Sequence, residues 1–309
     1  MLIVIEGPDK AGKTTLAKKI ASDYGLDYAH FGPPGDDPAR EYIDFLLKLK
    51  HVTVCDRFFV GELIYGPLLR GESKISFLDL VTISRLCRKM ISTFCLVSTP
   101  MNVIKKRFNP KKEGVTWDQN VDAWLAFHDL WPSLKVSVSN VINCAEPKFL
   151  PIIVKSFSEH LKRHLQFEAD LNDFKGIGTI DAKSIVLMGE SLNLNTTKYG
   201  LPFDNGPSAE FLQTMIMESG IDENYVYVVN QDVATKKEIK HHRRLGSYFV
   251  AMGTMAQTKL KREGIRAHRL PHPQYWRRFK STKWKTYANE LGVAWHNYLN
   301  NVVPSASSI

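Results

Sequence analysis

The sequence predicts an α/β fold in two domains: a parallel sheet with helices on both faces, then a second, smaller α/β domain. Three observations carry this. Short, unbroken apolar runs alternate with longer stretches of helical period, as expected of strands buried on both faces. The alternation pauses over residues 170–178, which hold two glycines and little periodicity, and then resumes. And 309 residues suggest two cores rather than one. The expected domains are 1–165 and 181–309, joined by a linker at 166–180.

The elements follow in order. Residues 2–5 are the first strand, wholly apolar. A helix over 15–23 carries Leu16, Ala17, Ile20 and Ala21 on one face and stops at Gly25. A second strand precedes Phe31-Gly32-Pro33-Pro34, and residues 52–55 form the next. A helix over 77–91 presents Leu80, Val81, Ile83, Leu86 and Cys87. Residues 93–98 are a strand, 100–107 open a helix, and 121–130 are helical. Residues 138–144 are the last strand of the first domain, followed by a helix over 151–164. In the second domain, strands fall at 185–188, 226–229, 248–252 and 266–270. They end in Gly189-Glu190, Asn230, Gly253 and Pro271-His272-Pro273. Ser208 is expected to cap a helix with Phe211, Leu212, Met215 and Ile216 inward and Gly220 at its end. Residues 254–263 form another, closed by Gly264. Polar or glycine ends matter because open parallel sheets build their sites at the carboxyl ends of strands. The tail 304–309 is expected to fray.

Composition narrows the class. Apolar content of 44% and charged content of 24% are those of a soluble globular protein. No apolar run approaches membrane-spanning length. A strand beginning at residue 2 leaves no room for a signal peptide. Cys55, Cys87, Cys95 and Cys144 have no C-x-x-C spacing and read as reduced, structural thiols. An intracellular, cytoplasmic location is the expectation. The net charge of +9 is unevenly spread. Residues 236–285 hold 15 Lys and Arg against Glu238 and Glu263, a surplus of +13. Four histidines, Tyr275, Trp276 and Trp284 sit among them. Ordinary charged surfaces mix signs, so this segment is expected to bind DNA or another polyphosphate.

The stretch from Gly7 to Thr14, Gly-Pro-Asp-Lys-Ala-Gly-Lys-Thr, fits the phosphate-binding pattern G-x-x-x-x-G-K-[ST]. It lies between a strand and a helix, where backbone N–H groups can ring a phosphate at the positive end of the helix. Gly7, Asp9, Gly12, Lys13, Thr14 and Thr15 are the expected ATP-binding residues. Lys13, read as solvent-facing, would reach the outer phosphates, and Thr14 would offer its hydroxyl to Mg²⁺. Asp56 and Arg57 end the strand at 52–55. Phosphoryl transfer needs charge neutralisation and positioning more than covalent chemistry. Asp56 would hold Mg²⁺ through water or orient an attacking hydroxyl, and Arg57 would clamp an acceptor phosphate with its planar fork.

Gly7 to Thr15, followed by Asp56-Arg57-Phe58, resembles thymidylate kinase, of the nucleoside monophosphate kinase group. The resemblance covers about residues 1–165 and implies a P-loop kinase fold. It places Lys10 where one branch of the family has an arginine acting on the transferring phosphate. It sets residues 103–117, with Arg107, Lys111 and Lys112, at a mobile lid. Phe31-Gly32-Pro33-Pro34 departs from the usual Phe-Pro-x-Arg, and Phe58 replaces a tyrosine. Residues 61–71, with Tyr65-Gly66-Pro67, resemble bacteriophage members of the family, which would place the chain in a host cytoplasm. Some of those relatives are implied to phosphorylate the hydroxymethyl group of 5-hydroxymethyluracil in DNA.

The carboxyl-terminal half resembles the uracil-DNA glycosylase superfamily more distantly. Val186 to Glu190 is similar to its first motif, Gly200-Leu201-Pro202-Phe203 to its stacking segment, Tyr227 to Asn230 to the strand that reads a base edge, and His272-Pro273 to its histidine-proline motif. A base pocket of Glu190, Phe203, Asn230 and His272 is implied. Residues 191–197 hold no carboxylate to activate water, and residues 165–309 hold no cysteine for an iron–sulfur cluster. The expectation is a DNA- or base-reading module, not an active glycosylase. Three functions stay open: a kinase of free pyrimidine deoxynucleotides, a kinase of hydroxymethyluracil in DNA, and a DNA-binding or repair protein with a nucleotide-sensing domain.

Overall fold

The computed structural model describes residues 2–133, 139–142, 173–191, 197–279 and 281–302. The chain divides into two compact units, Met1–Ala169 and Asp170–Ile309. The helix expected at 151–164, Cys144 and the tail at 304–309 lie outside the described residues.

The first unit runs β1 (Leu2–Glu6), α1 (Lys13–Tyr24), β2 (Asp27–His30), α2 (Pro38–Lys48), β3 (Thr53–Asp56), α3 (Phe59–Arg70), α4 (Phe77–Lys89), β4 (Thr93–Val97), α5 (Met101–Arg107), α6 (Trp117–Leu130) and β5 (Ser139–Ile142). Its sheet has the order β2-β3-β1-β4-β5, and every pairing is parallel. The all-apolar runs of β1 and β4 follow from cover on both faces. On one face Ile3, Ile5, Val54, Cys95 and Val97 pack against Leu16, Ala17 and Ile20 of α1, with Ile104 of α5 in the same cluster. On the other, Phe59 of α3 meets Phe94 of β4 edge-on at 5.7 Å, a favoured aromatic geometry. Helices α2 and α3 are additions to the expected elements. The cysteines fit their reading as buried thiols. Cys55, Cys87 and Cys95 are buried and form no disulfide among the described residues, and burial pushes the Cys55 and Cys87 thiols up.

The second unit runs β6 (Ile177–Gly178), β7 (Ile185–Gly189), α7 (Pro207–Glu218), β8 (Val226–Asn230), α8 (Lys236–Arg244), β9 (Tyr248–Met252), α9 (Thr254–Arg262), β10 (His268–Leu270), α10 (Pro273–Phe279) and α11 (Trp284–Val302). The sheet order is β10-β9-β7-β8-β6. Four strands are parallel, and β6 pairs antiparallel with β8 at the edge. Ile185, Leu187, Val250 and Met252 pack on α7 and α11 through Leu212, Ile216, Tyr287 and Leu291. Val186, Met188, Val229 and Ala251 form the opposite core with Ile239 and Leu260. Phe174, Ile177 and Ile180 are buried in this unit, so part of the stretch expected as linker belongs to it. Helix α7 starts at Pro207 after Gly206, not behind a Ser208 cap. Proline suits the first helical position, where the N–H it lacks would have had no partner within the helix.

Candidate functional site

Parallel strands bring their carboxyl ends to one edge of a sheet, and in the first unit that edge gathers Glu6, His30 and Asp56. Ile5 and His30 both stand opposite Asp56 in register. The chain then turns through Gly7, whose φ is +143° and whose added Cβ would stand 2.8 Å from the Val97 carbonyl oxygen. Only glycine lets the loop pass that close to β4. Gly12, at φ 102°, caps α1, which opens with Lys13. Thr14 and Thr15 are exposed on its first turn.

Lys13 is not solvent-facing: it is 5% exposed. Its Nζ donates to the Pro8 carbonyl at 2.7 Å and lies 3.7 Å from Asp9 Oδ1. Burial, and next the Arg57 cation, push its ammonium down to about 8. Arg57 reaches the same carboxylate, with 2.8 Å from its terminal nitrogen to Asp9 Oδ1. Beneath them Glu6 is buried and accepts from the backbone N–H of Phe58 at 2.8 Å and of Gly61 at 3.1 Å. Burial pushes Glu6 up to about 7 against those hydrogen bonds and the nearby cations. The buried Lys13, the partly exposed Arg57 and two carboxylates thus hold the Gly7–Thr14 loop against the residues that follow β3.

Asp56 is fully buried. Its Oδ2 takes the Tyr28 hydroxyl at 3.1 Å and His30 Nδ1 at 2.9 Å, while Oδ1 has no hydrogen-bond partner among the described residues. Asp9 is fixed from outside the loop. Its N–H points to the Tyr65 hydroxyl at 3.0 Å and to Asn120 Oδ1 at 3.2 Å, and its carbonyl accepts from Asn120 Nδ2 at 3.2 Å. Lys10 pairs with Glu113 at 2.6 Å, and Arg107 donates to the Lys10 carbonyl at 3.3 Å. The expected lid segment therefore touches the loop through Glu113 and Arg107, whereas Lys111 and Lys112 are exposed. A cavity of about 400 Å³ opens beside the loop. Asp9, Lys13, Arg57 and His30 line it with Phe31, Pro33, Pro34, Tyr42 and Tyr65. Glu6, Glu62, Arg70 and Glu113 line it too, so aromatic walls enclose seven charged side chains, three cations and four carboxylates.

In the second unit Phe203, Asn230 and His272 line one cavity of about 290 Å³, with Asp204, Ser208, Arg277 and Arg278. The Phe203 and His272 ring centroids are 6.2 Å apart. Asn230 is buried, and its Oδ1 has no hydrogen-bond partner among the described residues. A Cβ on Gly189 would stand 2.6 Å from that oxygen and 2.7 Å from the Phe203 ring, so glycine is required between them. Asp204 accepts from the backbone N–H of Lys198, Tyr199 and Leu201, at 3.1, 2.7 and 3.0 Å, which fixes the turn presenting Phe203. Burial holds the His272 imidazole below its usual pKa. Glu190 is not among the lining residues. It accepts from the Met255 N–H at 3.2 Å, at the start of α9. In the basic stretch 236–285 the lysines and arginines of α8 are all exposed. Glu238, Ile239, His241 and His242 turn inward from α8, and Lys259 donates to the Gln231 and Ala234 carbonyls, both at 2.6 Å.

Four described non-glycine residues have positive φ: Lys10 (64°), Arg57 (68°), Ile91 (50°) and Phe203 (51°). Three of them are sequence-derived site candidates. Such backbone costs roughly 1–3 kcal/mol and gathers where geometry serves function.

Among solved structures, the YorR protein of Bacillus subtilis in complex with phosphorylated GDP is 18% identical to this chain. The match covers 53% of this chain and 98% of that one, with a TM-score of 0.44. Deoxyadenosine kinase from M. mycoides is 15% identical in two states. With products dCMP and a flexible dCDP it has a TM-score of 0.32, and with bound dCTP 0.35; both matches cover 52% of this chain and all of that one. No protein-family model matches the chain, and no curated protein does. No described helix is long and apolar enough to cross a membrane.

Sequence reading missed Glu6, Tyr28, His30, Tyr65, Asn120, Glu113 and Asp204. Glu6 and His30 end strands, which was a usable signal. Tyr28 lies on the same strand as His30, and the others come from helices and loops that meet the site only after folding.

Proposed function

We propose that the first unit transfers the γ-phosphoryl group of ATP to a pyrimidine deoxynucleotide, as the thymidylate-kinase resemblance suggests. The observation that carries this is the cavity itself. The Gly7–Thr14 loop, three cations (Lys13, Arg57 and Arg70) and a space walled by Phe31, Tyr42 and Tyr65 meet at the carboxyl edge of one parallel sheet. Backbone N–H groups of the loop, other than Pro8, which has none, and Asp9, whose N–H is held by Tyr65 and Asn120, receive the phosphates with the N-terminus of α1. Lys13 exchanges its Pro8 contact for the outer phosphates and meets charge that develops in transfer. Arg57, already angled by its left-handed backbone, clamps the acceptor's phosphate. Lys10 is released from Glu113 to join it.

Mg²⁺ would supply further charge neutralisation. Thr14, exposed on the first turn of α1, offers the hydroxyl for it, with the nucleotide's phosphates as the remaining anionic ligands. Asp56 does not fit that role. It is fully buried, does not line the cavity, and already holds Tyr28 and His30 through Oδ2.

A second reading moves the acceptor into DNA, as the hydroxymethyl group of 5-hydroxymethyluracil. The cavity around Phe203 and Asn230 favours it. Phe203 would stack on a base, the Asn230 amide would meet its edge, and Arg277 and Arg278 would hold backbone phosphates. Labelled ATP offered in parallel to free pyrimidine deoxynucleotides and to hydroxymethyluracil-containing DNA separates the two. Label on the free nucleotide supports the first reading, label on DNA the second, and label on neither removes both.

A further inference from the structure

Asp56, the acid that the sequence singles out, cannot touch an acceptor, because no part of it is exposed. His30 can. Its side chain is 44% exposed and lines the cavity beside Arg57 and Lys13. The two residues end neighbouring parallel strands in register, which sets His30 Nδ1 2.9 Å from Asp56 Oδ2. A carboxylate can only accept, so the Nδ1 hydrogen points to Asp56 and the lone pair sits on Nε2. No described residue takes that nitrogen. The Tyr28 hydroxyl holds the same carboxylate oxygen at 3.1 Å and steadies the pair from behind. This is the arrangement in which a buried carboxylate orients an imidazole as a proton acceptor.

Such a pair has no task if the acceptor is a phosphate, which is already anionic at neutral pH. It has one if the acceptor is an alcohol. We propose that the phosphoryl acceptor is a neutral hydroxyl group and that His30 Nε2 takes its proton, with Asp56 as the positioning residue. The inference rests on the phosphoryl transfer from ATP proposed above and sets a hydroxyl in place of its phosphate acceptor. As the acceptor oxygen bonds to the γ-phosphorus, its hydrogen passes to His30. The bond from the γ-phosphorus to the bridging oxygen breaks, and ADP leaves with that electron pair. The imidazolium, stabilised by Asp56, later returns its proton to water. The hydroxyl is either the 5′-hydroxyl of a deoxynucleoside or a hydroxymethyl group on a pyrimidine base.

The test offers labelled ATP to four acceptors: thymidine, deoxycytidine, 5-hydroxymethyluracil in an oligonucleotide, and thymidine monophosphate. The wild type should label a hydroxyl acceptor, and which one it labels identifies the source. His30→Ala should lower kcat for it by about 10²-fold or more, leave ATP affinity in place, and regain activity with added imidazole. His30→Gln, which retains a polar side chain, should show the same loss if the alanine variant misfolds. Asp56→Asn should lower kcat with little change in KM and gain nothing from imidazole. Labelling of thymidine monophosphate on its phosphate, at a kcat that His30→Ala leaves within a few-fold, overturns the inference and keeps the kinase reading. ATP binding with no labelled acceptor at all overturns both.

Discussion

Replacing Lys13 by Met should make the first unit more stable while removing its activity. The ammonium is buried, and its pKa falls from 10.5 to about 8. Keeping it charged in the folded state therefore costs about 3 kcal/mol, at about 1.4 kcal/mol per pKa step. Glu6, itself pushed up to about 7, loses a favourable cation in the variant and takes its proton more firmly. That loss reduces the gain to about 2 kcal/mol. Met matches the length of the buried stem and leaves little cavity. The pH dependence follows from the direction of the shift. Below pH 8 the lysine is charged in both folded and unfolded chains, and the full cost applies. Between pH 8 and 10.5 the folded state releases the proton while the unfolded state keeps it, so the cost fades. Thermal unfolding of the full chain, followed at pH 7, 9 and 10, reads this directly. At pH 7 the affected transition should rise by roughly 4–8 °C in the variant, and the gap should close towards pH 10. A variant that melts at or below the wild type at pH 7, or a gap that widens with pH, would refute the buried-cation account.

Arg57→Lys should lower acceptor affinity by about 10–100-fold, because a point charge cannot replace a planar fork, while ATP titration stays near wild type. Equal loss of both would make the Arg57–Asp9 contact a structural tie. Gly189→Ala should destabilise the second unit by about 1–3 kcal/mol in denaturant titration, since its methyl would press on Asn230 and Phe203; an unchanged midpoint would mean the two side chains give way freely. Exchanging Arg277 and Arg278 for Glu should weaken DNA binding alike for all sequences and flatten its salt dependence. Phe203→Ala should instead erase preference for one pyrimidine and keep much of the low-salt affinity; the reverse pattern in a binding series would disconnect the cavity from DNA.

The parts of the fold legible in sequence were those specified locally. β1, the loop and α1 read clearly because an apolar run, a glycine pattern and an amphipathic stretch adjoin without a gap. The parallel strands of the second unit read for the same reason. Helix α2 carried its own signals, Asp37 as cap and Pro38 at the first position, which went unused. Helix α3 hid behind Gly61, Gly66 and Pro67, residues that oppose helix in isolation and are overridden by packing around Phe59 and Ile64. The two-residue β6 has no periodicity to detect. In the site, the loop residues and Arg57 were legible as a motif. The roles of Lys13 and Asp56 were not, because burial is a tertiary property. The sequence shows a lysine and an aspartate; only the folded sheet shows that one is enclosed by Pro8, Asp9 and Arg57 and that the other stands behind His30. The basic segment was legible as a charge tally, which does not show that Glu238, Ile239, His241 and His242 of α8 face inward while its lysines and arginines stay exposed.

The central claim is that Lys13 serves phosphoryl transfer to a pyrimidine deoxynucleotide. Single-turnover transfer from γ-labelled ATP, compared between wild type and folded Lys13→Met, tests it most directly. The account predicts a labelled pyrimidine deoxynucleotide, free or in DNA, from the wild type, and formation about 10²–10³-fold slower or worse in the variant. A variant within a few-fold of wild type, or a wild type that labels no such acceptor, would contradict it.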